Sequence, residues 1–403
     1  MKVTVLGGAA RGEVSAPPSK SIAHRLLICA GLSRGESLLY GISDSDDMKA
    51  TVSCLTALGA TFTRAGEALR VTGIDPHAIT PREALFCNES GSTLRFLLPV
   101  ALLSGKETTL SGKESLFRRP LSVYETLCKE KGYAYDKTNH AVRVKGPLLP
   151  GNYRVPGNIS SQFISGLLFA LPLLSGDSTL SITPPIESLS YIGLTLDALS
   201  HFGVRAEWKD DHTLFIPGRQ HYTPTEMTVE GDYSGAVFFA ALAALGNDVT
   251  VTGLNESSLQ GDRAYLRFIP MLSRGTPTIH IGDCPDLGPM LFALAAAKNG
   301  AVFTGTARLA LKESNRVTAM AEELAKFGTT VTVGEDSVVI YPSDFHAPTQ
   351  PLRGHGDHRI VMATAILATL TGGVIEGAEA ASKSFPDFFE KLASLGVSLH
   401  TEA

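Results

Sequence analysis

The sequence lacks the cysteine patterns that mark disulfide frameworks and metal sites. Its 403 residues contain five cysteines, an odd number, and no two of them form a C-x-x-C pair. The residues around them are mostly apolar, which is typical of buried free thiols in a reducing compartment. We therefore expect free, buried thiols at Cys29, Cys54, Cys87, Cys128 and Cys284.

Long hydrophobic runs and an excess of basic residues are also missing. The longest apolar runs, such as residues 163–174, are shorter than the roughly 20 residues that cross a bilayer. The N-terminal MKVTVLGGAARGEV has no long apolar stretch of the kind found in signal peptides. The formal net charge is −5, whereas nucleic-acid-binding proteins usually carry a basic surface. We expect a cytoplasmic protein that binds neither membranes nor nucleic acid.

What the sequence does contain is a repeat. A short polar segment, an apolar run rich in Leu and Ala, a glycine and a β-prone stretch recur six times. The copies begin at Ser19, Ser90, Ser160, Asp232, Asp286 and Asp357, at steps of 71, 70, 72, 54 and 71 residues. The short fourth step indicates that one copy is trimmed. Because 403 residues are too many for one ordinary core, six copies predict two domains of three units.

A second helix in most units completes the predicted architecture. It is amphipathic and ends in glycine, as in VSCLTALG and MAEELAKFG, and short strands such as ALRVTG follow it. The first helix of each unit is apolar nearly all the way round, which is typical of a buried helix. We predict an α/β fold of two similar domains, with buried helices inside and sheets outside. Residues 18–230 would form the first domain, and residues 1–17 with 231–403 the second.

The starts of the apolar helices are where the sequence predicts function. Each begins with Ser or Asp, which are good N-caps, and helix N-termini attract anions. Basic residues lie near these starts and in the loops between them, namely Lys20, Arg25, Arg95, Arg118, Arg119, Lys312, Arg316, Arg359 and Lys383. A cation near a helix N-terminus opposes the dipole, so their grouping indicates a bound phosphate or carboxylate.

Two acidic residues lie among these cations without an evident structural role. Asp286 opens an apolar helix, and Glu313 lies between Lys312 and Arg316. A carboxylate among cations normally stays ionised, but in a dry site it can be poised to exchange a proton. Both are therefore candidate acid–base residues. The alternative is that Glu313 is a solvated surface residue.

Eight segments resemble the signature blocks of the 5-enolpyruvylshikimate-3-phosphate (EPSP) synthase family, in the same order and spacing. They are PPSKSIAHR, ESGSTLRF, FRRP, GNISSQF, CPDLGPM, LKESNRV, HGDHRIVMA and SKSFPDFF. The resemblance covers the chain from end to end. It implies an inverted α/β barrel fold in which the N-terminal strand belongs with the second domain.

The resemblance also implies an activity. Members of this family transfer the enolpyruvyl group of phosphoenolpyruvate to the 5-hydroxyl of shikimate 3-phosphate, on the shikimate pathway to chorismate and the aromatic amino acids. They need no metal or organic cofactor, and glyphosate inhibits them by occupying the phosphoenolpyruvate site. We expect a monomeric transferase whose partners are its two small-molecule substrates.

Carried over position by position, the resemblance implies three sets of site residues. The shikimate 3-phosphate site would use Ser21, Arg25, Ser160, Ser161, Gln162, Ser188 and Lys312. The phosphoenolpyruvate site would use Lys20, Gly91, Arg119, Gln162, Arg316, Arg359 and Lys383. In the catalytic set, Asp286 would serve the hydroxyl, Glu313 the C3 proton, and Lys20 the phosphate.

Two residues depart from the family's pattern. Glu89 stands where many relatives carry Asn, and Arg308 stands four residues before Lys312, where some relatives carry Asn. A carboxylate at position 89 would either repel phosphoenolpyruvate or pair with an arginine of the site. The sequence leaves both alternatives open.

His355 and His358, with Asp357 between them, raise the alternative of a metal site. They do not follow the H-x-x-x-H spacing that places two histidines on one helix face. Capping of the helix and positioning of Arg359 is the favoured interpretation of this segment.

Three other functions compete with the main interpretation. The related carboxyvinyl transferases that act on UDP-N-acetylglucosamine usually carry a reactive cysteine shortly before an Arg-Pro, and GKESLFRRP has none. An RNA 3′-phosphate cyclase-like ligase would need an adenylated histidine and ATP. A non-catalytic anion-binding protein would require Asp286 and Glu313 to be passive.

Overall fold

A computed structural model describes residues 1–79, 81 and 83–402 of the chain. Its strands are β1 (Lys2–Val5), β2 (Arg11–Ser15), β3 (Glu36–Tyr40), β4 (Thr61–Ala65), β5 (Ala68–Thr72), β6 (Leu85–Phe86), β7 (Thr108–Ser111), β8 (Ala134–Lys137), β9 (Ala141–Lys145), β10 (Gly151–Pro156), β11 (Ser178–Thr183), β12 (Glu207–Asp210), β13 (Thr213–Ile216), β14 (Glu226–Thr228), β15 (Asp248–Thr252), β16 (Thr278–His280), β17 (Ala301–Thr304), β18 (Val331–Val333), β19 (Ser337–Ile340), β20 (Leu352–Arg353), β21 (Gly373–Glu376) and β22 (Leu399–Glu402). Its α-helices are α1 (Lys20–Gly31), α2 (Asp46–Leu58), α3 (Gly91–Leu103), α4 (Glu114–Phe117), α5 (Ser122–Lys131), α6 (Ser161–Ala170), α7 (Leu189–His201), α8 (Tyr233–Ala244), α9 (Tyr265–Arg274), α10 (Gly288–Ala297), α11 (Arg316–Lys326), α12 (His358–Thr371) and α13 (Phe388–Ser394).

The chain separates into two compact units. One, which we call the continuous unit, is Lys20–Val229, and the other, the split unit, is Met1–Ser19 with Glu230–Ala403. The domain limits predicted from the repeat lie within two residues of these borders. Each unit has its own hydrophobic core.

The three sheets of the continuous unit share one plan. Their strand orders are β14-β3-β5-β4, β6-β7-β9-β8 and β10-β11-β13-β12. In each sheet the first two strands are parallel and the other pairings are antiparallel. A parallel pair needs a crossover connection, and the buried helices α3 and α6 supply it for β6–β7 and β10–β11.

The split unit repeats this plan with one trimmed copy. The sheet β16-β17-β19-β18 has α10 as its crossover, and in β20-β21-β1-β22 the N-terminal strand β1 lies between β21 and β22. In the described part of the chain the remaining sheet has two strands, β15 and β2, which pair in parallel. Its copy is the one with the 54-residue step, and the missing length is that of a hairpin. The predicted α/β architecture of repeated helix–sheet units is confirmed.

The apolar helices are buried, as their composition predicts. Nine of the twelve residues of α8 and nine of the ten residues of α10 are buried. The glycines predicted to end the second helices adopt left-handed backbone angles, for example Gly328 with φ +87° and Gly396 with φ +94°, a region that only glycine enters at little cost. All five cysteines are free and buried, as expected.

Side chains cap most of the apolar helices where the sequence predicts. Ser90, Ser160, Asp232 and Asp357 accept backbone N–H groups at the starts of α3, α6, α8 and α12. The prediction that Asp286 opens its helix in this way is wrong. Asp286 lies in a 3-10 turn, Pro285–Leu287, and α10 begins at Gly288 with Leu287 in the cap position. Its carboxylate binds cationic side chains instead.

The helices of the described ranges include none that is both long enough and apolar enough to cross a lipid bilayer.

Candidate active site

In the continuous unit, Lys20 forms a partly buried ion pair. It is the first residue of α1, and its Nζ lies 2.9 Å from Oδ2 of Asp47, the second residue of α2. Little water reaches either side chain, so their attraction is screened less than that of a surface pair. The sequence did not indicate Asp47, because only the packing of α1 on α2 brings the two residues together.

Arg25 links α1 to α7. It is buried, and its Nε donates to Oγ1 of Thr195 at 2.9 Å, while its two Nη groups donate to the carbonyls of Ser21 and Tyr191 at 2.6 and 2.9 Å. Burial lowers the pKa of Arg25 to about 10, so the guanidinium stays charged at neutral pH. Ser188, also predicted for this site, is buried directly before α7.

The starts of α3 and α6 are joined by Gln162. Its Oε1 accepts from Arg95 at 2.6 Å, and its Nε2 donates to Oγ of Ser92 at 2.9 Å. Ser160 caps α6 by accepting the backbone N–H of Gln162 at 3.3 Å, and Ser161 is the buried first residue of that helix. The predicted triplet of residues 160–162 therefore lies beside the start of the preceding repeat's helix.

Gly91 and Arg119 are in direct contact. A Cβ atom at Gly91 would lie 2.8 Å from Cζ and from both Nη atoms of Arg119. The guanidinium thus lies directly over the first residue of α3, where backbone N–H groups point outward from the helix start. A side chain at position 91 would displace it.

In the split unit, Arg316 is the centre of a cluster of charges. Its side chain is 1% exposed, and it donates to Oδ2 of Asp357, to Oδ1 of Asp286 and to Oε2 of Glu313, each at 2.8 Å. Burial alone would lower the pKa of Arg316, but Asp357, Glu313 and Asp286 raise it above its ordinary value. Glu313 is 18% exposed, so its interpretation as a solvated surface residue is wrong.

Asp286 binds three cationic side chains. Besides Arg316 it accepts from Nζ of Lys312 and from Arg359, both at 3.1 Å. Burial would raise the pKa of Asp286, but Arg359, Lys312 and Arg316 hold it well below its usual range, so the carboxylate is ionised. Burial lowers the pKa of Lys312 to about 8, against the attraction of Asp286, and the buried Arg308 adds to the lowering.

The remaining predicted cations, Arg359 and Lys383, make hydrogen bonds at the start of α12. Arg359 donates its backbone N–H to Oδ1 of Asp357 at 2.9 Å and a guanidinium N–H to the carbonyl of Ser234 at 3.1 Å. Nζ of Lys383 donates to the carbonyl of Gly356 at 2.6 Å. Asp357 is fully buried, which explains its double role as helix cap and partner of Arg316. The predicted capping by this segment is confirmed.

The two histidines near α12 lie in different surroundings. His358 is the buried first residue of the helix, and Nε2 of His355 lies 2.8 Å from Oε1 of Glu323. Within the described ranges, one group of acidic and histidine residues brings its ligand atoms within 4.8 Å, namely Glu322, Glu323 and His355. Nζ of Lys326 contacts Glu323 at 2.7 Å, so ion pairing accounts for this group.

Asp262 is a site residue that sequence reasoning missed. It is buried in the 3-10 turn Gly261–Ala264 and accepts the hydroxyl of Ser234, whose carbonyl binds Arg359. Burial, and then the charge of Asp286, raise the pKa of Asp262 to about 6. An acidic residue within the mixed segment SLQGDRA carries no sequence signal of burial, so nothing distinguished it from a surface aspartate.

We expect Asp262→Asn to raise the free energy of unfolding at pH 8 by up to roughly 3 kcal/mol. The folded protein, with a pKa of about 6 against the ordinary 3.8, holds this proton more tightly than the unfolded chain. The wild type therefore loses stability as the pH rises through this window, and the advantage of the variant should fall to about half at pH 5. Urea unfolding measures this, with the exposed Asp248→Asn as control. Equal gains at both pH values would contradict the prediction.

Comparisons with known proteins show which family the whole chain resembles. The family model of EPSP synthase (3-phosphoshikimate 1-carboxyvinyltransferase) matches residues 6–275 and 271–392. The chain is 39% identical over 408 residues to a 3-phosphoshikimate 1-carboxyvinyltransferase of Clostridium kluyveri, covering 96% of this chain and 95% of the relative. It is 38% identical over 425 residues to one of Clostridium perfringens, covering all of both chains.

A solved structure has the same fold. EPSP synthase from Acinetobacter baumannii superposes with a TM-score of 0.80 over the whole of both chains, at 22% identity. At this identity the likeness shows the fold, whereas the full-length matches at close to 40% identity show the family. This chain belongs to the EPSP synthase (3-phosphoshikimate 1-carboxyvinyltransferase) family.

Proposed function

We propose that this chain transfers the enolpyruvyl group of phosphoenolpyruvate to the 5-hydroxyl of shikimate 3-phosphate, which yields EPSP and phosphate. The observation that carries the proposal is the cluster in which Asp286 and Glu313 share the buried guanidinium of Arg316. The reaction needs one group for a hydroxyl proton and another for a methylene proton, among cations that bind phosphate and carboxylate. Family membership supports the same reaction.

The chemistry is an addition followed by an elimination. The 5-hydroxyl oxygen attacks C2 of phosphoenolpyruvate while C3 takes a proton, and phosphate then leaves as C3 loses a proton. Asp286, which is ionised and so has a free position for a proton, accepts the hydroxyl proton. Glu313 delivers the proton to C3 and removes one in the second step, and Lys20 assists at the phosphate.

A change of partners at Arg316 prepares Glu313 for this role. The guanidinium group that donates to Glu313 at 2.8 Å is also the natural donor to a substrate carboxylate or phosphate. When a substrate oxygen takes this N–H, Glu313 loses this hydrogen bond and gains a negatively charged neighbour. Both changes favour the protonated form of a carboxylate, so Glu313 becomes able to hold the proton it transfers.

The predicted binding residues form two sets, one for each substrate, and Gln162 belongs to both. Shikimate 3-phosphate binds Ser21, Arg25, Ser160, Ser161, Gln162, Ser188 and Lys312. Phosphoenolpyruvate binds Lys20, Gly91, Arg119, Gln162, Arg316, Arg359 and Lys383. The starts of α3 and α6 add backbone N–H groups and the positive ends of two helix dipoles, which favour anions.

Phosphate release tests the proposal. With phosphoenolpyruvate present, release should require shikimate 3-phosphate and should not occur with UDP-N-acetylglucosamine in its place. The activity should survive treatment with iodoacetamide, because all five cysteines are buried and none lies in the segment 113–120. Turnover with UDP-N-acetylglucosamine, or complete loss of activity after alkylation, would show that the chain is a different carboxyvinyl transferase.

We expect Gly91→Ala to raise the inhibition constant of glyphosate by about tenfold or more, and KM for phosphoenolpyruvate by several-fold. The added Cβ would lie 2.8 Å from the guanidinium of Arg119, which must move and then binds a small anion less well. Initial rates with glyphosate as a competitor of phosphoenolpyruvate measure both constants. The control is Gly275→Ala, where a Cβ meets nothing within 4 Å. Unchanged inhibition in Gly91→Ala would mean that glyphosate binds elsewhere.

A further inference from the structure

Segment 113–120 lies alongside the start of α3 and contacts residues 88–95 at successive positions. The contacts pair Lys113 with Asn88, Ser115 with Glu89, Arg119 with Gly91, and Pro120 with Arg95. Both sides advance in the same direction along the chain. The contact of Arg119 with Gly91 is therefore one of this series. The contacts of Lys113 and Ser115 come first in the series and determine where it begins.

Glu89 is held through both carboxylate oxygens at the beginning of this series. Its Oε1 accepts from the hydroxyl of Ser115 at 2.6 Å, and its Oε2 lies 3.6 Å from Nζ of Lys113. The backbone N–H of Lys113 donates to the carbonyl of Asn88 at 2.9 Å, next to Glu89 in the chain. The sequence left open whether Glu89 repels a substrate or pairs with an arginine, and these contacts give it a third role as an anchor.

The anchor is connected to Arg119 by a single turn of helix. Ser115 lies in α4, which ends at Phe117, and the backbone N–H of Arg119 donates to the carbonyl of Leu116 at 3.3 Å. A helix of four residues has little stability of its own, so contacts with its surroundings decide where it lies. Glu89 supplies such contacts two residues before Gly91.

We propose that Glu89 is a positioning residue for Arg119, which it holds over Gly91 by anchoring α4 to the start of α3. The proposal rests on the proposed function, in which Arg119 is a ligand of phosphoenolpyruvate. An anchored guanidinium loses less conformational freedom when the anion binds, so the anchor improves affinity for this substrate. Glu89 itself does not touch the substrate in this account.

A double-mutant cycle with Arg119 tests the proposal. Glu89→Ala and Ser115→Ala should each raise KM for phosphoenolpyruvate about 5- to 10-fold, with kcat and KM for shikimate 3-phosphate within about twofold. In an Arg119→Ala background, Glu89→Ala should have no further effect, because it acts through that side chain. Glu114→Gln, an exposed neighbour of Ser115 in α4, is the matched control and should behave as wild type.

Two results would overturn the proposal. The first is an unchanged KM in Glu89→Ala, and the second is an equal fold-increase in the presence and absence of Arg119, which would mean that Glu89 acts independently of Arg119. Ser115→Ala removes one hydroxyl and keeps the test usable if Glu89→Ala does not fold.

Amide hydrogen exchange of the ligand-free protein separates this proposal from the proposed function. Exchange in residues 113–119 should become faster in Glu89→Ala and Ser115→Ala than in wild type or Glu114→Gln, with no substrate present. Unchanged exchange would refute the anchor, whatever the activity. A wild-type protein that releases no phosphate would refute the proposed function, while the exchange experiment would still decide the role of Glu89.

Discussion

Glu313→Gln is expected to lower kcat for phosphate release by roughly 10²–10⁴-fold, with both KM values within about threefold of wild type. Glutamine has nearly the same shape and can still accept the N–H of Arg316, which lies 2.8 Å from Glu313. What the variant loses is the proton that Glu313 is proposed to transfer at C3. Steady-state rates with each substrate varied in turn measure the effect.

The matched control for this variant is Glu335→Gln, an exposed glutamate of the same unit. It should leave kcat within about twofold, as is usual for surface substitutions away from a site. A fall of less than about fivefold in Glu313→Gln would show that this carboxylate only pairs with Arg316 and carries no proton. A rise in KM without a fall in kcat would instead make it a binding residue.

Asp286→Asn is expected to lower kcat by a comparable factor, roughly 10²–10⁴, for a different reason. The ionised carboxylate is the partner of Lys312, Arg316 and Arg359 and is the proposed acceptor of the hydroxyl proton. An amide cannot take that proton. It also leaves three cations without their shared counter-charge, so we expect tighter binding of anionic substrates and a lower KM for phosphoenolpyruvate.

The combination of a lower kcat and a lower KM distinguishes catalysis from folding. A variant that merely unfolds would lose kcat in proportion to the folded fraction and would keep the KM of the remaining enzyme. Asp283→Asn, three residues earlier and exposed, is the control and should match wild type. If Asp286→Asn retained more than about a fifth of the wild-type kcat, another group would have to accept the hydroxyl proton.

The cluster of charges around Arg316 shows which of its members the local sequence can predict. Lys312, Glu313 and Arg316 lie within five residues, so their charges are visible as one pattern. Asp357 lies 41 residues from Arg316 and joins it because two consecutive repeats place α11 beside the start of α12. Asp262 lies still further away in sequence, and its segment has no periodicity that indicates burial. The sequence predicts the capping by Asp357, but only the packing of the split unit shows that Asp357 pairs with Arg316 and that Asp262 is buried.

The sequence by itself determined the family, the helix–sheet repeat and the trimmed copy, because hydrophobic periodicity and motif order are properties of short segments read one after another. The tertiary structure decided the partners of the charged groups. Asp286 binds three cations instead of capping α10, and Glu89 contacts Ser115 and Lys113. Charge interactions depend on distance and burial, and both are set by how separate segments pack against each other.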